Sequence, residues 1–233
     1  MLAALLGGTA ATVVTAAHGP ERRIQMEQHS ETALSAQLLR AAQDGDAARV
    51  AALLAAGANP DAADARGRTA LTSAALGDHV EVVRALVSAG ADPDPQDDAR
   101  NNALLVSGET GNVALLREVL RGSPDLTRTN RFGGTALIPA ADRGHLPYVR
   151  ELLRTTGIDV NHVNHLGWTA LLEAVILGDG GPVHTEIVRE LLTHGADPQV
   201  ADRQGRTPLD HARSAGYLEM VRLLQGPGPA PRP

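Results

Sequence analysis

Apolar residues recur along this chain at helical spacing, in short stretches that come in pairs. Between Arg68 and Gly90 the spacing predicts two short amphipathic helices, and the pair Gly77-Asp78 interrupts the pattern between them. The apolar positions are Ala70, Leu71, Ala74 and Ala75 in the first helix, and Val80, Val82, Val83, Leu86 and Val87 in the second.

Polar residues and glycine mark the ends of these two helices. Thr69 predicts an N-cap for the first helix, because its hydroxyl can accept a backbone N–H of the first turn. Gly90 follows the second helix at the position where a left-handed C-cap favours glycine. Asp92-Pro93 then predicts a turn-rich connection, so the unit is helix, tight turn, helix and a protruding loop.

The same unit returns along the chain at a nearly constant period. A phrase of the form Gly-x-Thr-x-Leu begins at positions 67, 133, 167 and 205, and the related stretch Arg-Asn-Asn-Ala-Leu begins at position 100, which gives steps of 33, 33, 34 and 38. Such a period is typical of a stack of small units that bury their apolar faces on one another. We expect this stack over residues 35–224, with units at about 35–67, 68–100, 101–133, 134–167, 168–205 and 206–224.

Several stretches in register resemble one repeat family. Thr207-Pro208-Leu209-Asp210-His211-Ala212 resembles the Thr-Pro-Leu-His-x-Ala opening of the ankyrin repeat. The stretches 53–60 and 191–198 resemble its exit from the second helix. The resemblance implies an all-α solenoid of about six helix-turn-helix units with protruding β-turn fingers. It also implies a non-catalytic module that binds a partner protein through its concave groove and its finger loops.

Some positions depart from the ankyrin pattern. Arg100 replaces the glycine of the loop, so we expect a distorted finger between the second and third units. Asn102 replaces the capping threonine and still predicts a cap. Ser123-Pro124 replaces the glycine exit of the third unit, which weakens the predicted C-cap. Pro139 is compatible with its helix only within the first turn.

The longest step of the repeat contains an insertion at residues 178–184. Together with the stretch 168–174, this segment resembles a subgroup of bacterial ankyrin proteins. Some members of that subgroup are exported, and some are linked to protection from peroxide through a catalase. The resemblance therefore implies an alternative function, an exported accessory protein that supports a catalase in oxidative-stress defence.

The two ends of the chain differ from the repeats. Residues 1–17 are apolar and uncharged, which predicts a signal peptide or, alternatively, an ordinary apolar helix. Cleavage there would place the protein outside the cytoplasm, in the periplasm or secreted, and otherwise we expect it in the cytoplasm. The stretch is too short to predict a stable membrane span. Residues 18–34 are expected to form a linker, and the Pro/Gly-rich residues 225–233 a disordered tail.

Composition excludes several classes of function. The chain has 233 residues and no cysteine, so disulfides, thiolate metal sites and a cysteine nucleophile are excluded. The net charge is −6 and the chain has no basic tract, which argues against nucleic-acid binding. We expect no cofactor, and we expect a monomer that binds one protein partner of unknown identity.

Residues free of packing at the fingertips and just before each cap are the predicted partner-binding surface. They are Arg66, Arg68, Gln96, Asn101, Arg128, Arg131, His162, Trp168, Arg203 and Arg206. Trp168 is the strongest candidate, because tryptophan and arginine are frequent anchors of protein interfaces. The alternative is that Trp168 covers the neighbouring finger and stabilises the stack.

Glu173 stands at a helix position that is normally apolar. A carboxylate there needs partners, and we expect it to accept backbone N–H groups of the insertion that contains Gly178, Asp179, Gly180 and Gly181. A hydrolase built on Glu173 is a remote alternative, because no adjacent nucleophile or acid completes a catalytic set. His162, His165 and His184 lack the spacing of metal ligands on one helix face, so no metal is expected.

Overall fold

The computed structural model describes the backbone of residues 20–226 and the side chains of residues 31–226. Twelve helices form six consecutive pairs in this part of the chain, which confirms the predicted all-α stack. They are α1 (Pro20–Gln43), α2 (Ala47–Ala55), α3 (Ala70–Leu76), α4 (Val80–Ser88), α5 (Ala103–Thr110), α6 (Val113–Leu120), α7 (Leu137–Asp142), α8 (Leu146–Thr155), α9 (Ala170–Ile176), α10 (Pro182–Thr193), α11 (Pro208–Ala215) and α12 (Leu218–Gln225).

The helices lie in two layers with one continuous core between them. The odd-numbered helices contact one another in chain order, and the even-numbered helices do the same. One leucine in each of the first five units occupies the same buried place in the odd-numbered layer, namely Leu38, Leu71, Leu104, Leu137 and Leu171. Burial of each such side chain contributes about 1.5–3 kcal/mol to stability, so the stack is held mainly by contacts between neighbouring units.

The linker predicted for residues 18–34 is replaced by helix α1 from Pro20 onward. Proline suits the first position of a helix, and no glycine or proline follows until Gly45. The polar composition therefore marked a helix rather than a loop. The predicted signal segment 1–17 lies outside the described residues, as do residues 227–233 of the predicted tail, whereas Gln225 is the last residue of α12.

One aspartate or asparagine side chain closes each of the five loops between units, which we call fingers. Each finger takes the number of the unit that follows it, so the fingers run from the second to the sixth. In the fourth finger (residues 130–134), Asn130 Oδ1 accepts the backbone N–H groups of Phe132 at 2.9 Å and Gly134 at 3.0 Å. The same pair of bonds recurs at Asp64, Asp97, Asn164 and Asp202. These polar residues stand three positions before the first residue of the repeated phrase, and their role in closing the fingers was not predicted.

Arg100 does not distort its finger, contrary to the prediction. It adopts the left-handed conformation of the glycines at a φ of 60°, and its N–H donates to the Asp97 carbonyl at 2.7 Å. Gly67 makes the equivalent bond to the Asp64 carbonyl at 3.0 Å. The side chain of Asp97 therefore imposes the finger geometry on a residue that disfavours it.

Most of the predicted N-caps are confirmed. The side chains of Thr69, Asn102, Thr169 and Thr207 each accept a backbone N–H of the following helix. The fourth unit is the exception, since α7 begins at Leu137 and Thr135 Oγ1 has no partner among the described residues. Pro139 lies in the first turn of α7, where its missing N–H costs little.

Ring side chains connect the second, fourth, fifth and sixth units to the carbonyl end of the preceding first helix. Nε2 of His79, His145 and His184 lies 3.1, 3.1 and 2.9 Å from the carbonyls of Gln43, Glu109 and Asp142. The Tyr217 hydroxyl makes the corresponding bond to the Gly178 carbonyl at 3.0 Å. His184 therefore satisfies the end of a neighbouring helix, a structural role.

The insertion between α9 and α10 is short, because residues 182–184 already form the first turn of α10. Asp179 Oδ1 accepts the Gly181 N–H at 2.8 Å and lies 3.1 Å from His184 Nδ1. These contacts lower the pKa of Asp179, the Gly181 N–H contributing most and His184 next. Gly180 has a φ of 70° and lies against the Tyr217 ring, so a side chain there would be strained and would overlap the ring.

Tyr148 is the largest fully buried side chain, and its hydroxyl lies 2.7 Å from Ser107 Oγ. Ser107 donates its own proton to the Leu104 carbonyl at 2.7 Å, so Tyr148 is the donor in their shared bond. Burial raises the pKa of Tyr148 above its ordinary value, which keeps the hydroxyl protonated. This bond joins α8 of the fourth unit to α5 of the third unit.

We expect Tyr148→Phe to lower the free energy of unfolding by about 1 kcal/mol, because the change removes one buried hydrogen bond and no packing volume. Urea denaturation measures the difference. Tyr217→Phe is the matched control, since that hydroxyl is only partly buried, and it should cost less. Equal losses in the two variants would contradict the assignment.

Candidate protein-binding groove

A concave cavity of about 250 Å³ lies between the fourth and fifth fingers. The fifth finger spans residues 164–168, and both fingers stand beside the first helices of their own units. The apolar wall consists of Phe132, Leu166, Ile138, Pro139 and Leu177, and Glu173 lines the cavity with Asn164. We call this cavity the groove.

Two large apolar side chains at the fingertips border the groove. Phe132 is 54% exposed and Leu166 is 53% exposed, and each stands two residues after the asparagine that closes its finger. Leu177, at the end of α9, is 50% exposed on the same groove. The Arg131 guanidinium lies 4.7 Å from the centre of the Phe132 ring. A contiguous cluster of exposed apolar side chains is a frequent sign of an interaction site, whereas single exposed apolar residues are common on any protein surface.

Phe132 and Leu166 were not among the predicted partner-binding residues. The equivalent positions of the other fingers hold Arg66, Ala99 and Gln204, so large apolar residues at this place are confined to the fourth and fifth fingers. That contrast was visible in the sequence once the closing aspartate or asparagine was aligned. Alignment of the fingers on the glycine alone singles out the residue that follows the glycine, such as Trp168 or Arg206.

Glu173 is 7% exposed, and its Oε1 accepts the Asn164 side-chain amide at 2.6 Å. Burial raises the pKa of Glu173 to about 7, and the negative charge of Asp142 adds to that effect, while the bond from Asn164 opposes it. A carboxyl with this pKa is partly protonated at neutral pH. The groove therefore contains a titratable group in the physiological range.

The hydrogen-bonding partner predicted for Glu173 was wrong. Glu173 lies in the first turn of α9 and bonds to the finger that precedes this helix, whereas the insertion follows the other end of the helix. The next unit has an equivalent contact, in which the finger rather than the helix supplies the carboxylate: His211 Nε2 lies 2.7 Å from Asp202 Oδ2. In both units the side chain four residues after the cap fastens the helix to its finger.

The remote hydrolase alternative receives no support from the groove. Asn164 is the hydrogen-bonding partner of the Glu173 side chain, and no described hydroxyl or imidazole bonds to that carboxyl. No group of three or more potential metal ligands occurs among the described residues. Within the same part of the chain, no helix has the length and apolar character needed to cross a membrane.

Six of the ten predicted partner-binding side chains make contacts within the stack. Arg68 pairs with the buried Asp97 of the next finger at 3.1 Å, and Gln96 Nε2 donates to the carbonyls of Arg100 at 2.7 Å and Thr129 at 2.9 Å. The others bond as follows: Asn101 to Asp97, His162 to the Gly133 carbonyl, Arg203 to the His165 carbonyl, and Arg206 to Ser214 and the Asp210 carbonyl.

The remaining four predicted residues differ in their surroundings. Arg128 and Arg131 are exposed, and they contact Asp125 at 3.2 Å and the Phe132 ring respectively. Arg66 is exposed beside a second, more polar cavity at the second unit, and its guanidinium has no ion pair within the described residues. Trp168 is half-buried and is not among the residues that line the groove. The large fingertip side chains that do line it are Phe132 and Leu166. Partner binding by the ten residues stays a prediction.

Comparisons with known proteins agree with this architecture. A family model described as ankyrin repeats in three copies matches residues 1–97, 38–130, 104–202 and 157–230. The ankyrin repeat protein YahD of Escherichia coli (strain K12) is 51% identical over 73 residues, which cover 31% of this chain. The matched region spans 36% of YahD, about a third of its length.

Solved structures extend the similarity over most of the chain. An ankyrin repeat domain from Acinetobacter baumannii AYE has 45% identity and a TM-score of 0.78, covering 80% of this chain and 95% of that one. The ankyrin repeat protein EF0377 has 37% identity and a TM-score of 0.77, covering 81% and 96%. The ankyrin repeat domain of Bcl-3, a member of the IkappaB family, has 29% identity and a TM-score of 0.71, covering 81% and 84%.

The names of these relatives mention neither a catalase nor export, so both expectations stay predictions. The architecture and the family match agree over the described part of the chain. This chain belongs to the ankyrin-repeat family.

Proposed function

We propose that this chain binds a partner protein through the groove between its fourth and fifth fingers. Ankyrin-repeat domains are generally protein-binding modules and typically non-catalytic. The observation that supports this particular surface is the exposed apolar cluster of Phe132, Leu166 and Leu177 around one cavity. Such a cluster, bordered by polar side chains, has the composition of an interface core with a rim.

The fingers and helices around the groove provide a preorganised surface. Asn130 and Asn164 fix the backbones of the two fingers through four hydrogen bonds, so Phe132 and Leu166 are held without a large loss of conformational freedom on binding. Arg131 of the fourth finger is exposed and lies against the Phe132 ring, and the exposed Arg128 precedes this finger by two residues. They belong to the surface that the partner would cover, together with Trp168 of the fifth finger.

We expect the double variant Phe132→Ala, Leu166→Ala to lose the partner that the wild-type protein retains. Loss of two interface anchors costs about 2 kcal/mol or more, which is about a thirtyfold loss of affinity. The measurement is quantitative co-purification from the native host. Circular dichroism shows whether the variant keeps its helices, which we expect because both side chains are more than half exposed.

The matched control is Leu218→Ala, since Leu218 is 70% exposed at the start of α12, outside the groove. It removes an exposed leucine without touching the fingers. Partners lost by the double variant and kept by the control are ligands of the groove. If a folded double variant retains every partner at the wild-type level, the groove is not the binding surface.

A further inference from the structure

The groove combines apolar walls with acidic groups from three consecutive units. Glu109 of α5, Asp142 of α7 and Glu173 of α9 all line it. Arg143 is the one basic residue among the residues that line the groove, and it is exposed. The groove therefore has an excess of negative charge when its carboxylates are ionised, beside walls that favour apolar atoms.

Two buried polar side chains in the groove have hydrogen-bonding capacity left over. Glu173 uses Oε1 for Asn164, and none of the described residues bonds to its Oε2. Asn130 is 8% exposed and uses Oδ1 for its finger, and none of the described residues accepts from its Nδ2. Both atoms are accessible from the groove, so the groove offers one acceptor and one donor to an incoming molecule.

We propose that the groove takes a lysine or arginine side chain of the partner, from a segment in which an apolar residue stands beside the basic one. The proposal rests on the function proposed above and names the chemistry of its ligand. The cationic head pairs with Glu173 and Asp142, and the aliphatic stem lies along Phe132, Leu166 and Leu177. Asn130 Nδ2 donates to a carbonyl of the same segment.

Binding of a cation here changes the proton content of the protein. A positive charge beside Glu173 favours the carboxylate, so ligand binding removes the proton that the free protein partly holds at neutral pH. Glu109, Asp142 and Arg143 face the same cavity, and Asn164 is the hydrogen-bonding partner. Since the carboxyl with a pKa of about 7 must ionise, affinity should rise about tenfold between pH 6 and pH 8.

The experiment uses a random peptide library displayed on phage, selected in parallel on the full chain and on the Phe132→Ala, Leu166→Ala variant. Peptides that bind the wild type alone are synthesised, and those containing histidine are set aside because they titrate in the same range. Isothermal calorimetry then measures their affinity for wild type, Glu173→Gln and Leu218→Ala at pH 6 and pH 8. Two buffers of different ionisation enthalpy report the protons released.

The expected result is a shared lysine or arginine next to an apolar residue in the selected peptides. Glu173→Gln should bind them at least tenfold more weakly at pH 8 and with no pH dependence, whereas Leu218→Ala should match the wild type. If peptides require Phe132 and Leu166 but share no basic residue and bind Glu173→Gln equally, this inference is wrong and the proposed function stands. If no peptide depends on Phe132 and Leu166, the proposed function fails as well.

Discussion

The Glu173→Gln variant is expected to be more stable than the wild-type protein at pH 8, by about 2–3 kcal/mol. Folding buries Glu173 near Asp142 and raises its pKa from 4.5 to about 7. Above pH 7 the folded protein must therefore hold an unfavourable buried charge, which the neutral glutamine avoids. Glutamine keeps the length of the side chain and an oxygen that can accept the Asn164 amide.

The direction of the pH dependence follows from proton binding. Between pH 4.5 and pH 7 the folded protein holds a proton on Glu173 that the unfolded chain has released, so wild-type stability falls as pH rises through this window. The loss is complete above pH 7 and absent below pH 4.5. The variant lacks this contribution, so the difference between the two proteins should be small at pH 4.5 and greatest at pH 8.

Urea unfolding of both proteins at several pH values measures this difference, and contributions from other carboxylates cancel in the comparison. Glu219→Gln is the matched control, because Glu219 is 62% exposed and pairs only with the nearby Arg222. Its effect should stay within about 0.5 kcal/mol at every pH. A Glu173→Gln effect that is the same at pH 5 and pH 8 would show that the carboxyl is not held neutral by its surroundings.

A gain in stability from Glu173→Gln together with a loss of peptide affinity would be informative. Residues retained at a cost to stability are frequent at functional sites, where binding needs a group that folding does not favour. Glutamine at this position would keep the bond to the finger while removing the charge. The pair of measurements therefore separates the structural contact of Glu173 from the proposed pairing with a cation.

The Gly108→Ala variant is expected to lose about 2–4 kcal/mol of stability. Gly108 lies inside α5, where helix propensity by itself would favour alanine over glycine by about 1 kcal/mol. A Cβ at this position, however, would lie 2.3 Å from the backbone oxygen of Ala136. Backbone cannot rotate aside as a side chain can, so α5 and the start of the fourth unit would have to separate.

Thermal or urea unfolding measures the loss, and Gly157→Ala is the matched control. A Cβ on Gly157 meets no atom within 4 Å, and this glycine has no positive φ, so alanine should be neutral or slightly stabilising there. A Gly108→Ala protein as stable as the wild type would mean that α5 and the start of the fourth unit can move apart at little cost. A larger side chain such as valine should then also be tolerated.

Much of the fold was predictable because its causes are local. The caps at Thr69 and Asn102 depend on a side chain and a backbone N–H three residues away. Helical spacing of apolar residues identified the faces that carry Leu71 and Leu104 into the core. Periods of 33 and 34 residues then ordered the units, because each unit repeats the same local solution.

The candidate site was less predictable because its residues meet across units. The fingertip preceding α7 supplies Phe132, the next supplies Leu166, and the acidic lining comes from three helices. Arg68, predicted as free for a partner, pairs instead with Asp97 of the next finger. Such pairings depend on how one unit is rotated on its neighbour, which no single repeat encodes.

The repeat, its caps and the all-α stack thus follow from the order of residues, since a turn of helix or a capped loop involves only a few neighbours. The place of the groove and the ionisation of Glu173 follow from assembly. Burial of that carboxyl and the approach of Asp142 arise only when α7 and α9 pack side by side and Asn164 of the fifth finger bonds to Glu173. Electrostatic energies depend on distance in space and on exclusion of water, and neither is a property of sequence spacing.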